Sequence, residues 1–208
     1  MIPIDTLGVF FAASLLLCLA PGPDNIFVLT QSALRGPSAG CLVTIGLCSG
    51  LVAHTTAVAL GVAAIFQASV LAFTVLKIIG AAYLLYLAWQ SFRASAAGIQ
   101  AAGERSLSGW ALYRRGIIMN VTNPKVSIFF LAFLPQFADP AHGSLSLQLM
   151  LLGGVFIVAT LLVFGGIALL AGKLGQWLQH SEKAQRAINR VAGTVFVALA
   201  LKLASTER

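Results

Sequence analysis

Apolar runs of roughly 20 residues recur along the whole chain, and that is the length of helix needed to cross the hydrocarbon core of a bilayer. Only 9% of the 208 residues are charged and 59% are hydrophobic, whereas a soluble domain usually carries about 25% charged residues. So few charges cannot cover a water-facing surface. A very apolar domain buried in a complex is the competing reading, and the length of the runs argues against it. The chain is therefore expected to be an all-α, polytopic membrane protein.

Six spans are expected, at Leu7–Leu34 (interrupted), Gly40–Phe66, Val70–Phe92, Gly116–Phe137, Leu147–Leu170 and Ile188–Ala204. Met1 to Asp5 contains no Lys or Arg, so the first run reads as part of the protein rather than as a secretory signal. The connection Arg93–Arg115 is rich in Ser, Ala and Gly, and it divides a single domain, 1–208, into halves 1–92 and 116–208. Leu178–Arg186 is polar and reads as a short surface helix.

The net charge of +7 follows from topology, with no nucleic acid needed as partner. Nine of the 13 basic residues fall in alternate connections: Arg35; Arg93, Arg105, Arg114 and Arg115; Lys173, Lys183, Arg186 and Arg190. Basic residues concentrate on the cytoplasmic side of membrane proteins. Asp5, Asp139, His142, Lys202 and Arg208 then lie on the other side, and both termini are outside. Tyr86, Trp89, Trp110, Tyr113 and Trp177 flank the cytoplasmic ends, where interfacial aromatics belong.

The halves resemble one another faintly. Lys77-Ile-Ile-Gly80 parallels Arg190-Val-Ala-Gly193, and Pro23-Asp24 parallels Pro124-Lys125. Three spans per half give the halves opposite orientations, the inverted-repeat plan of many secondary transporters. Similarity between apolar segments also arises by chance.

Two motifs interrupt spans one and four. Ala20-Pro21-Gly22-Pro23-Asp24-Asn25 cannot form regular helix, because each proline removes a backbone donor and clashes with the preceding turn. Non-helical backbone at membrane depth occurs only where it is buried in protein or lines a cavity. Asp24 opens the second half-helix, where it can cap that helix or face an ammonium. The alternative is that Pro21-Gly22-Pro23 ends span one at the surface. In Asn120-Val-Thr-Asn123-Pro124-Lys125, Pro124 again breaks a helix. Asn120, Asn123 and Lys125 offer groups for a carboxylate, although Lys125 can also snorkel to the interface. Asp24 lies 11 residues from Arg35 and Lys125 lies 10 from Arg115. At about 1.5 Å per residue both sit roughly 15 Å deep, near the middle of a core about 30 Å thick. An anion and a cation at one depth beside two broken helices suit a zwitterion, and without one they can bridge each other.

His54 shares a helix face with Gly46, Gly50, Ala57 and Gly61, and small residues let helices approach closely. His54 thus points into the bundle, as a proton-exchanging group or as a satisfied structural one. The Gly46/Gly50 face can serve inside one chain or between copies in a homo-oligomer. Lys77, in the outer half, reads as an outer-gate residue or a snorkelling one. Cys18, Cys41 and Cys48 form no CxxC pair or zinc spacing, which argues against a membrane thiol-redox carrier. The sequence has no P-loop; Gly46-Leu-Cys-Ser-Gly50 has the wrong spacing for a nucleophile elbow. No metal site, cofactor or enzymatic activity is expected.

Pro21-Gly-Pro-Asp24, Lys77-Ile-Ile-Gly-Ala-Ala-Tyr-Leu-Leu-Tyr-Leu-Ala88 and Asn123-Pro-Lys125 followed by Phe129-Phe-Leu-Ala-Phe-Leu-Pro-Gln-Phe137 together resemble the lysine exporter and homoserine/threonine resistance (LysE/RhtB) family. The resemblance covers nearly the whole chain. It implies a multi-pass exporter of amino acids or close derivatives in the bacterial inner membrane, driven by the proton gradient, with the lipid bilayer as its surroundings. Asp24 and Asn25, beside Pro21, Gly22 and Pro23, are then expected to hold the substrate ammonium. Asn120, Asn123 and Lys125, beside Pro124, are expected to hold its carboxylate, with Asp24 or His54 taking the coupling proton. Uncoupled solute efflux is the alternative within transport.

Overall fold

Proline and glycine set several of the helix boundaries. The computed structural model describes residues 2–68, 70–94 and 107–205; Arg105, Arg208 and the middle of the Arg93–Arg115 connection lie outside the described residues. Helix α1 (Ile4–Leu19) ends ahead of Pro21, and α2 (Pro23–Arg35) begins on Pro23, where a missing N–H costs nothing. Gly36 closes α2 with φ of 86°, a left-handed conformation that favours glycine. Helices α3 (Pro37–Ala68) and α4 (Val70–Arg93) follow. Helix α5 (Gly109–Thr122) stops before Pro124, and α6 (Pro124–Ile128) restarts on it. The chain then loosens into a π-helical turn at Phe129–Phe133 and tightens into a 3-10 turn at Leu134–Phe137. Pro135 lacks the N–H that a continuing α-helix needs there. Helices α7 (Leu145–His180) and α8 (Glu182–Ser205) complete the chain.

Among the described residues, four helices are long and apolar enough to cross a membrane, and six spans result when each bent pair counts as one. The bends are 63° between α1 and α2 and 51° between α5 and the segment Pro124–Phe137. The fold is thus an all-helical, polytopic membrane protein. Two expectations change in detail. The fourth span starts at Gly109 rather than Gly116. Leu178–Arg186 is not a separate surface helix; it is the junction of α7 and α8 at Ser181.

Helix α3 packs along α5 and α7, α4 packs along α8, and α1 and α2 pack along α7. Close approach depends on glycine. A Cβ on Gly46 would lie 3.0 Å from the Gly116 Cα, and one on Gly50 would lie 2.7 Å from the Asn120 Cβ. The Gly46/Gly50 face is therefore filled by α5 within the chain. A Cβ on Gly61 meets nothing within 4 Å and Ala57 is exposed, so the small-residue face expected around His54 packs over only half its length. The core centres on an aromatic group in which Phe129 meets Phe133 at 4.8 Å and Phe156 at 5.3 Å. Outward, residues such as Leu71, 73% exposed, face the surroundings, as expected of side chains solvated by lipid.

The ends of the bundle have different characters. At one, Arg35 Nη1 donates to the Leu107 carbonyl at 3.0 Å and Asn189 Nδ2 to the Ala94 carbonyl at 3.3 Å. At the other, Gln148 clips the turn before α7 by donating to the Asp139 carbonyl at 2.8 Å and accepting from the Asp139 N–H at 3.0 Å.

Candidate functional site

The two helix breaks face each other, and each leaves backbone carbonyls without helical partners. In a continuing helix the Leu17 carbonyl would accept from residue 21 and the Asn120 carbonyl from residue 124. Both positions are proline. Such carbonyls, away from water, need other donors. Side chains supply them, from across the bundle and from the break itself. Lys125 Nζ donates to the Ala20 carbonyl at 3.1 Å and the Leu17 carbonyl at 3.4 Å. Asn25 Nδ2 takes the Cys18 carbonyl at 2.7 Å. At the second break His54 Nε2, carrying its proton, donates to the Asn120 carbonyl at 3.3 Å, which also accepts from the Asn123 N–H at 3.1 Å.

Asn123 joins the breaks. Its Oδ1 accepts from the Lys125 N–H at 3.0 Å, capping α6. Its Nδ2 donates to Asp24 Oδ2 at 2.8 Å. Two expectations are corrected by this arrangement. Asp24 does not cap α2: Gly22 holds the cap position, and no side-chain hydrogen bond closes that end. Asp24 and Lys125 do not bridge each other. Among the described residues, the ammonium is held by carbonyls and the carboxylate by Asn123. Lys125 is buried, so its ammonium does not snorkel. Gly22 is extended rather than strained, and its role is proximity, because a Cβ there would lie 3.1 Å from Lys125 Nζ.

Between the breaks lies a narrow cavity of about 20 Å³, lined by Leu17, Cys18, Asp24, Leu47, Asn120, Lys125, Val126, Phe156, Thr160 and Phe164. Asp24 and Asn120 are each 3% exposed, yet among the described residues Asp24 Oδ1 and Asn120 Oδ1 accept no hydrogen bond; Asn25 Oδ1 is likewise unpaired. A buried acceptor left unpaired costs roughly 1–3 kcal/mol, and more when charged. Asp24 and Asn120 both line the cavity, and unpaired acceptors on lining residues suit a donor-rich cation. Cys18, Cys41 and Cys48 are free thiols, and no group of His, Cys, Asp and Glu among the described residues is placed to hold a metal ion.

A family model described as the LysE type translocator matches residues 15–207. The chain belongs to this family. Its members are transporters, not enzymes. A homoserine/homoserine lactone efflux protein of Salmonella typhi is 35% identical over 95% of each chain. An uncharacterized membrane protein of Vibrio cholerae is 31% identical over 95% of this chain and 96% of its own. A leucine efflux protein of Salmonella choleraesuis is 26% identical over 95% of this chain and 94% of its own. No solved structure matches the chain.

Within this LysE-type fold the expected site residues fall into three groups. Asp24, Asn120 and Lys125 line the cavity, and Asn25 and Asn123 hold its walls. His54 stands behind Asn120, its ring 5.6 Å from that of Phe130. Lys77, half-buried on α4, does not line the cavity. Sequence reasoning missed Cys18 and Thr160, whose Sγ and Oγ1 lie 3.5 Å apart. A signal existed for Thr160, one of few polar residues in the apolar stretch Leu145–Ala171.

Proposed function

We propose that this chain exports small, neutral amino acids or close derivatives from the cytoplasm, across the bacterial inner membrane, in exchange for protons. The observation that carries the reading is that Asp24, Asn120 and Lys125 line one cavity, with the Asp24 and Asn120 side-chain acceptors buried and, among the described residues, unpaired. A substrate ammonium takes the acceptors, with Asn25 Oδ1 assisting. The substrate carboxylate takes Lys125. A cavity of about 20 Å³ has room for about one water, so loading an amino acid requires the breaks to part. Lys125 then exchanges backbone carbonyls for the carboxylate while Asn123 shifts with it. A proton arriving at Asp24 or His54 weakens the hold on the ammonium, and Lys77 serves on the outward side.

Rocking of two halves, 1–92 and 116–208, around the cavity supplies alternating access. The packing supports treating them as inverted repeats. Exchanging the halves in chain order, with α1 matched to α5 and α2 to the segment that starts at Pro124, turns the α1–α7 contact into α5–α3 and the α2–α7 contact into that of the π turn with α3. The contacts α3–α7 and α4–α8 map onto themselves. The paralleled glycines agree. A Cβ on Gly80 would lie 3.1 Å from Leu203 of α8, and one on Gly193 would lie 2.6 Å from the Phe92 ring of α4. The names of the Salmonella relatives point to uncharged side chains, which suits a cavity with one carboxylate, already engaged by the ammonium.

The test is efflux from cells preloaded with labelled amino acids, with and without a protonophore, comparing wild type with Asp24→Asn. Efflux of a neutral class, lost with either perturbation, is the expected result. Efflux indifferent to the protonophore replaces antiport with uncoupled release, and efflux indifferent to Asp24→Asn removes Asp24 from the site. If no amino acid leaves, the export reading fails.

A further inference from the structure

We infer that Thr160, on α7, reads the substrate's side chain and selects for a hydroxyl at its end. The inference rests on the export reading and assigns the part of the cavity that the ammonium and carboxylate leave over. Asp24, Asn120 and Lys125 supply the charged end. The rest of the lining is apolar except for Thr160 and Cys18, 2% and 4% exposed. Phe156 and Phe164 stand one turn before and after Thr160 on the same face of α7 and wall this region.

The hydroxyl has one proton, and Thr160 Oγ1 donates it to the Phe156 carbonyl at 2.9 Å. What it offers the cavity is therefore lone pairs. The neighbour at 3.5 Å is the Cys18 thiol, which must then be the donor of that contact, and a thiol is a weak one. A substrate hydroxyl is a stronger donor and displaces it at little cost. An alkyl side chain of the same size leaves the oxygen with the thiol alone. A charged side chain finds no counter-ion, since Asp24 and Lys125 are occupied by the substrate's own backbone charges. At this depth that omission costs at least about tenfold in binding, since insertion scales charge several times the thermal energy for an unpaired ion.

The experiment uses the full chain in liposomes loaded with labelled L-homoserine or L-norvaline, which have the same shape and differ in a hydroxyl against a methyl. Wild type is expected to release homoserine roughly tenfold faster at subsaturating load, the worth of one buried hydrogen bond. In Thr160→Val, which keeps the shape and removes the oxygen, that ratio falls toward one. Thr160→Ser keeps the oxygen and keeps the ratio. Thr160→Ala is a second oxygen-free side chain, in case the valine variant does not assemble. A wild-type ratio near one, or an unchanged ratio in either oxygen-free variant, overturns the inference while leaving export intact. Loss of both solutes in both oxygen-free variants assigns Thr160 to the fold and overturns it too. Wild type that moves neither solute sinks the export reading itself.

Discussion

Asn123 carries two tasks with one amide. Its oxygen caps α6 through the Lys125 N–H, and its nitrogen donates to Asp24. Asn123→Ala removes both, and the expected loss is about 1–3 kcal/mol, a cap of about 1 plus an intramembrane hydrogen bond of about 0.6–1.7. Thermal unfolding in detergent measures it. Asn123→Asp separates the tasks, because a carboxylate still caps but cannot donate to Asp24 and sets a second anion against it. That variant should fold and lose export. If it exports at the wild-type rate, the Asn123–Asp24 bond has no part in transport.

At the scale of helices, the two breaks obey one rule: a proline deletes a backbone donor, and a side chain from across the bundle replaces it. Lys125 serves the Leu17 carbonyl that Pro21 strands, and His54 adds a donor to the Asn120 carbonyl, which Pro124 leaves with the Asn123 N–H in place of its α-helical partner. His54→Ala should therefore cost about 0.6–1.7 kcal/mol in detergent unfolding. His54→Gln keeps an N–H for the carbonyl and should recover most of it. The pH dependence of efflux in the glutamine variant then separates structure from proton exchange: an unaltered profile leaves His54 with the structural task alone. The glycines divide in the same way. Gly46→Ala drives a methyl against the Tyr113 carbonyl and should cost roughly 1–3 kcal/mol. At Gly154 an added Cβ meets nothing within 4 Å, so Gly154→Ala should be neutral or stabilising by up to about 1 kcal/mol. The breaks were legible because proline's geometry is local. Counting residues from Arg35 and Arg115 also placed Asp24 and Lys125 at similar depth. Depth is one coordinate, however. Which atom each side chain meets depends on azimuth, and that is set by bends of 63° and 51° that no residue count contains. Hence a direct Asp24–Lys125 bridge was expected where carbonyls and an amide intervene. Thr160 stood out as a polar residue in an apolar stretch, but its partner was illegible for the same reason, since its distance from Cys18 is a property of how α1 lies against α7.

For the whole molecule, the charge pattern and the packing meet in one orientation. The basic connections gather where Arg35 reaches Leu107 and Asn189 reaches Ala94. The Asp139–Gln148 clip closes the opposite end, where Asp139 also accepts from His142 Nδ1 at 3.1 Å. Basic residues resist translocation while acidic ones contribute little, so the first end should be cytoplasmic and the clip external. Single exposed cysteines test this in intact cells with a membrane-impermeant thiol reagent. The native protein sets the background, because Cys18 is buried and Cys41 and Cys48 are partly so. Ala141→Cys, on the exposed turn after Asp139, should label from outside. Arg186→Cys, on the exposed face of α8, should label only after the cells are opened. The reverse pattern would invert the molecule and turn the proposed exporter's proton-loading face toward the cytoplasm. Inward proton flow could not then load Asp24 from the clip end, and the coupling would have to be rebuilt from the other side of the same cavity.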